Sequence, residues 1–128
     1  MTQPDDEITP AELNDLLKNE EEVRIVDIRS PSQFERGAIP DSENIPFGEL
    51  PQRVEALDGA ERVVTVCPHG KASLQAMRLI ESYEGLGEAD VRSLEGGLDA
   101  WSRDYGLDSD GNEESEESDG ESAAEAPF

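Results

Sequence analysis

Residues 62–73 read RVVTVCPHGKAS, an apolar run followed by a short polar loop that contains the single cysteine of the chain. The run Val63-Val64-Thr65-Val66 consists of β-branched residues and predicts a buried strand. A helical pattern begins after the loop, so Cys67 is predicted to lie between the end of a strand and the start of a helix. Ligands gather at this position in open α/β proteins, because amide groups of the first helical turn can hold an anion. Cys67 is therefore a candidate nucleophile, and the alternative is a small buried hydrophobe without a chemical role.

Strands and helices are predicted to alternate on both sides of this stretch. Two further strands are expected at residues 23–28 and 89–94, and the main helices at residues 9–18, 49–57, 71–83 and 98–105. Such alternation predicts an α/β fold with a mostly parallel central sheet and helices on both faces. We expect a single folded domain, residues 1–107.

Residues 108–128 have a different composition from the rest of the chain. They contain nine acidic residues and no Lys or Arg, among Ser, Gly and Ala in low-complexity order. This composition buries too little apolar area to offset the entropy lost on ordering, which predicts a disordered acidic tail. A regulatory or partner-binding role of the tail is the alternative.

Acidic residues dominate the predicted domain as well as the tail. The chain has 32 acidic and 10 basic residues, with a formal net charge of −22, and 23 of the acids fall within residues 1–107. A surface of this charge repels nucleic acid phosphates and anionic lipid headgroups, so neither nucleic acid nor membrane is expected as a partner. Lysine occurs only at Lys18 and Lys71. Acid-rich, lysine-poor surfaces are typical of halophilic proteins, whose self-repulsion is screened by concentrated salt.

The sequence predicts a cytoplasmic protein. No stretch approaches the ~20 apolar residues of a membrane-spanning helix, and the first residues lack the basic and apolar regions of a signal peptide. A single cysteine cannot form an internal disulfide, which agrees with a reducing compartment.

Three segments in order resemble one family, the single-domain rhodanese-like sulfurtransferases. IVDIR at 25–29, FERGAIP at 34–40 and NIP at 44–46 are similar to its first signature, which usually runs from Asp-Val-Arg through Gly-His-Ile to Asn-Ile-Pro. LEGGLDAW at 94–101 is similar to its C-terminal signature. Between them, CPHGKAS at 67–73 resembles the active-site loop Cys-x-x-Gly-x-Arg-Ser.

The resemblance covers roughly residues 8–105 and implies a rhodanese-like fold and a sulfurtransferase activity. Sulfane sulfur would move from a donor such as thiosulfate to a thiol or cyanide acceptor through a persulfide on Cys67, without a metal or an organic cofactor. The loop after the cysteine would bind the substrate anion through Pro68, His69, Gly70, Lys71, Ala72 and Ser73.

Three features are expected to lower the pKa of Cys67 and so favour the reactive thiolate. These are the loop N–H groups, the positive end of the following helix, and the charge of Lys71. Asp27 and Arg29, at the end of a neighbouring strand, are expected to form an ion pair that supports the loop.

One departure from the family pattern concerns how the loop binds the substrate anion. Ala72 occupies the position where the family most often has arginine, which removes a cation from the loop. Lys71 is next to this position. Its ammonium group is a point charge, whereas the guanidinium of an arginine can donate two parallel hydrogen bonds, so Lys71 would hold an anion in a less strictly defined geometry.

Two other functions stay open at this point. The domain either carries persulfide sulfur from a desulfurase to a partner protein, or binds proteins without catalysis. A phosphatase or arsenate reductase with a related Cys loop is disfavoured, because such enzymes grip the oxyanion with an arginine and residues 68–77 contain none.

The acidic surface leads to a prediction about salt. Because concentrated salt screens the repulsion among surface carboxylates, the melting temperature is expected to rise between dilute buffer and molar KCl. Thermal unfolding followed by circular dichroism measures this, and an unchanged melting temperature would contradict the halophilic interpretation.

Overall fold

Five parallel strands form one sheet in the computed structural model, which describes residues 6–87 and 89–107. The strands lie in the order β1-β5-β4-β2-β3, and every neighbouring pair is parallel. Their bounds are Glu7–Ile8 for β1, Arg24–Asp27 for β2, Glu43–Asn44 for β3, Arg62–Val66 for β4 and Asp90–Leu94 for β5. The predicted acidic tail, residues 108–128, lies outside the described residues, so the division into domain and tail stays a prediction.

Five α-helices connect or follow the strands. They are α1 at Pro10–Lys18, α2 at Pro31–Arg36, α3 at Leu50–Arg53, α4 at Ala72–Glu81 and α5 at Gly97–Asp104, with short 3₁₀ turns at Phe47–Glu49, Val54–Leu57 and Glu84–Leu86. Helix α1 begins with a capping box: the Glu12 amide donates to Thr9 Oγ1 at 3.1 Å, and the Thr9 amide donates to Glu12 Oε1 at 2.9 Å. None of the helices formed by the described residues is long and apolar enough to cross a bilayer.

Helices pack on both faces of the sheet, as the sequence predicts. Side chains of β4 alternate between the faces: Val63 belongs to the core shared with α3 and α4, whereas Val64 belongs to the core shared with α1 and α5. On the second face Trp101 of α5 is 2% exposed and belongs to the core. The α/β fold class is therefore confirmed.

Two elements differ from the sequence prediction. Strand β1 was not predicted, because two residues are too short to show the alternation of a strand, and only its pairing with Ser93 and Leu94 of β5 defines it. The helix predicted at residues 49–57 is divided into the 3₁₀ turns and α3, because Arg53 leaves the helical region at φ −115°. Three apolar residues of this segment are nevertheless buried, namely Leu50, Val54 and Leu57.

The position of β4 in the sheet determines where a site can form. Strand β2 connects outward to β3, whereas β4, its neighbour, connects in the opposite direction to β5. The carboxyl ends of β2 and β4 therefore flank the point where the strand order reverses, which is where ligands bind in open α/β sheets.

An ion pair lies at the carboxyl end of β2. The Asp27 side chain is 1% exposed, and Arg29 donates to both of its oxygens, from Nε at 2.9 Å and from Nη2 at 2.8 Å. Nη2 also donates to the Gly37 carbonyl at 2.7 Å, just after α2. The predicted pair is thus present, and it ties the segment after α2 to the end of β2.

Substitution of Arg29 tests the contribution of this pair to stability. Because Arg29→Met leaves the buried Asp27 carboxylate without its partner, we expect the free energy of unfolding to fall by about 3–5 kcal/mol. Arg53→Met is the matched control, since it breaks an exposed pair with Glu49 and is expected to cost less than about 1 kcal/mol. Urea unfolding in molar KCl measures both, and equal losses would contradict the assignment.

Candidate active site

The Cys67 sulfur lies at the point where β4 passes into α4. The residue is 3% exposed and directly follows the last ladder contact of β4, in which the Ile28 amide donates to the Val66 carbonyl at 3.0 Å. The Gly70 amide donates to Sγ at 3.0 Å and the Ser73 amide at 3.4 Å, while Ser73 Oγ lies 3.3 Å from the same atom. The sulfur is therefore surrounded by hydrogen-bond donors from its own loop.

The Cys67 sulfur caps the N-terminus of α4, a role that the side chain of the N-cap residue usually has. The N-cap residue of this helix, Lys71, makes no side-chain cap, and the amide of the second helical residue, Ser73, donates to the sulfur instead. Amides of the first turn otherwise lack a partner, and they carry the positive end of the helix dipole. An anionic sulfur is therefore stabilised at this position.

The pKa of Cys67 is lowered by these donors. Burial by itself raises the pKa, but hydrogen bonds from the Ser73 hydroxyl and from the amides of Ser73, His69 and Gly70 outweigh it. The expected contribution from the charge of Lys71 stays a prediction. Lys71 is exposed, where solvent screens its charge.

The loop is held in shape by the first turn of α5. The Leu98 amide donates to the Cys67 carbonyl at 2.9 Å, and the Asp99 amide donates to the Pro68 carbonyl at 2.9 Å. The loop carbonyls thus point toward α5, while the Gly70 amide points at the sulfur.

Two glycines allow this close approach. A Cβ atom at Gly97 would overlap the Cys67 carbonyl oxygen and lie 2.6 Å from the Gly70 nitrogen, and one at Gly70 would lie 2.8 Å from the Gly96 nitrogen. Both residues also have positive φ, +86° at Gly70 and +62° at Gly97. Any larger side chain at either position would separate the loop from α5.

The structure brings only some of the predicted site residues to the sulfur. Gly70 and Ser73 contact it and are buried, and the His69 amide also donates a hydrogen bond to it. As whole residues, Pro68, His69, Lys71 and Ala72 are exposed at the rim. Asp27 and Arg29 lie one strand away, and their pair reaches Gly37. Among the described residues, no group of three His, Cys, Asp or Glu side chains has the arrangement of a metal site.

Two contacts of the site were missed from the sequence. Ser93 Oγ of β5 lies 2.6 Å from Ser73 Oγ, and both side chains are fully buried. A serine in a strand gives no sequence signal of such a contact. Gly96-Gly97 before a helix does signal a close approach of backbone, but not which loop approaches.

The lowered pKa of Cys67 predicts how its alkylation rate depends on pH. Because its thiolate is stabilised, alkylation by iodoacetamide should stay fast as the pH falls below about 8.5, the range in which a free cysteine becomes protonated and slow. The alkylation rate and the thiolate absorbance at 240 nm measure this against pH, with Cys67→Ser as the background. A midpoint at or above that of free cysteine would contradict the assignment.

Comparisons with known proteins agree with the fold and identify the family. The rhodanese-like domain family matches residues 9–104. A protein of Allochromatium vinosum named sulfurtransferase is 35% identical over 97 residues, 76% of this chain and 88% of the relative. The thiosulfate sulfurtransferase GlpE of Pseudomonas syringae is 33% identical over 81 residues, 63% of this chain and 74% of the relative.

A solved structure of a sulfurtransferase also has a similar fold. The human single-domain sulfurtransferase TSTD1 is 29% identical, superposes with a TM-score of 0.67, and is matched over 78% of this chain and 97% of its own. The family match spans the strand that ends at Cys67, the loop around its sulfur and the turn that holds the loop. The chain therefore belongs to the rhodanese-like domain family, with sulfurtransferases among its relatives.

Proposed function

We propose that this protein transfers sulfane sulfur through a persulfide on Cys67. The observation that supports this most directly is the set of donors around one buried sulfur, with the Gly70 amide at 3.0 Å and the Ser73 amide and hydroxyl at 3.4 and 3.3 Å. Such a cradle stabilises a thiolate before the reaction and an anionic persulfide after it, because both carry negative charge at the same place.

The reaction proceeds in two displacements. The Cys67 thiolate attacks the outer sulfur of a donor such as thiosulfate, a new S–S bond forms, and sulfite leaves with the electron pair of the broken bond. A thiol or cyanide then attacks the terminal sulfur, and the electron pair of the cleaved S–S bond returns to Cys67 as thiolate. Each half-reaction balances without an oxidant or a cofactor, and ping-pong kinetics follow from the covalent intermediate.

The exposed rim of the loop favours a broad range of sulfur donors. Position 72 is exposed and carries alanine, so the cation that an arginine would place at this rim is missing. The exposed Lys71 and His69 supply weaker and less directional contacts to an oxyanion. Thiosulfate is supported as a donor by the name of the relative GlpE. The absent arginine supports the second candidate, a carrier that receives its sulfur from a partner protein.

The surroundings of the reaction follow from thiol chemistry and charge. A nucleophilic thiol must stay reduced, which supports a cytoplasmic setting. The net charge of −22 supports a halophilic host and disfavours nucleic acid and anionic membranes as partners.

Sulfur loading tests the proposal. After incubation with thiosulfate in molar KCl, the intact mass of the wild type is expected to increase by one sulfur atom, and cyanide is expected to remove it. Cys67→Ser is expected to gain nothing. A second variant, Ala72→Arg, restores a cation at the exposed rim and is expected to load faster at low thiosulfate concentration, by about tenfold for one charge-assisted contact.

The outcomes separate the candidate functions. Loading by a cysteine desulfurase with its substrate, but not by thiosulfate, would identify the carrier. A wild type that takes no sulfur from either source would contradict persulfide chemistry and leave a protein-binding module.

A further inference from the structure

A second serine lies behind the one that contacts the sulfur. Ser93, on β5, places its hydroxyl 2.6 Å from Ser73 Oγ, which in turn lies 3.3 Å from Cys67 Sγ. Ser73 and Ser93 are both fully buried, and Cys67 is 3% exposed. The three side chains therefore form a continuous line from the sulfur into the core.

The neighbouring hydroxyl does not belong to this line. Thr65 Oγ1 donates to the Ser73 carbonyl at 2.7 Å, which uses its only proton and anchors the first turn of α4. The contact of 2.6 Å between the two serines is short for a hydrogen bond between hydroxyls, so it is well formed.

Each hydroxyl has one proton, and this determines the direction of the bonds. When Cys67 is a thiolate, the sulfur only accepts, so Ser73 donates its proton to the sulfur and accepts from Ser93. When Cys67 is a thiol, its S–H donates to Ser73, and Ser73 donates to Ser93. In both states Ser73 donates one hydrogen bond and accepts another, and the proton that leaves on ionisation goes to solvent while each serine keeps its own.

We propose that Ser93 is a positioning residue that orients and polarises the Ser73 hydroxyl toward the anionic sulfur of Cys67. Without Ser93, the buried Ser73 oxygen would lack a donor whenever its own proton is directed at the sulfur, and an unsatisfied buried oxygen is costly. Hydrogen bonds in a chain also strengthen each other, so the bond from Ser93 makes Ser73 a better donor. Its use in catalysis rests on the proposed function, but its effect on the thiolate does not.

A double-mutant cycle on the thiolate tests this. Alkylation of Cys67 by iodoacetamide is measured against pH in molar KCl for the wild type, Ser73→Ala, Ser93→Ala and the double variant. At a pH below the midpoint we expect the rate to fall about threefold in Ser93→Ala and about tenfold in Ser73→Ala, from the loss of a supporting and of a charge-assisted hydrogen bond. At high pH, where the thiol is fully ionised, the rates should converge.

The cycle also shows whether Ser93 acts through Ser73. If it does, Ser93→Ala has no further effect once Ser73 is alanine, and the double variant alkylates like Ser73→Ala. Independent effects that multiply would overturn the proposal, as would an unchanged pH profile in Ser93→Ala.

Val91→Ala is the matched control for a general loosening of β5. Val91 is buried on the same strand and, two residues earlier, on the same face as Ser93, but it has no hydroxyl. Val91→Ala is expected to lower the stability of the protein without shifting the pH dependence of Cys67 alkylation. A shift of that pH dependence equal to the one in Ser93→Ala would overturn the proposal. Since alkylation needs no sulfur donor, failure here is distinct from failure of sulfur loading.

Discussion

The close contact between two backbone segments determines how the loop around the Cys67 sulfur is shaped. Gly70 and Gly97 approach so closely that neither position has room for a Cβ atom. This approach lets the first amides of α5 bind the carbonyls of Cys67 and Pro68. With its carbonyls held there, the loop directs amides at the sulfur, and these amides stabilise a thiolate.

Stabilisation by buried dipoles suits a protein of this charge. The chain has a net charge of −22, and the cation nearest the loop by sequence, Lys71, is exposed. Molar salt would screen such an exposed charge within a few ångströms, whereas hydrogen bonds between buried groups are screened much less. A cradle of amides and hydroxyls therefore keeps its effect in the ionic strength that the acidic surface indicates.

The sheet supplies the frame for this contact. Strand β4 lies in the middle, so its carboxyl end is flanked by β2, with the buried pair of Asp27 and Arg29, and by β5, with Ser93. Two kinds of support thus reach the site from two sides. The ion pair fixes the segment after α2, and the serine lies directly behind the hydroxyl that contacts the sulfur.

The sequence alone determined the class of the fold and the position of the candidate nucleophile at the end of a strand. The β-branched run at residues 63–66 with its polar loop predicted the strand, the turn and the thiol, because local residue types decide such short-range structure. The spacing of the three signatures predicted the family, which the comparisons confirmed.

Only the tertiary structure decided which groups act on that atom. Ser93 lies 20 residues from Ser73, and Gly97 lies 27 residues from Gly70, so no local pattern relates them. Strand β1 likewise exists only through its pairing with β5. The exposure of Lys71 was likewise decided by the tertiary structure, since a position in the loop sequence does not determine exposure. Local propensity places a residue on a strand or a loop, but the hydrogen bonds that activate the sulfur depend on how distant segments pack.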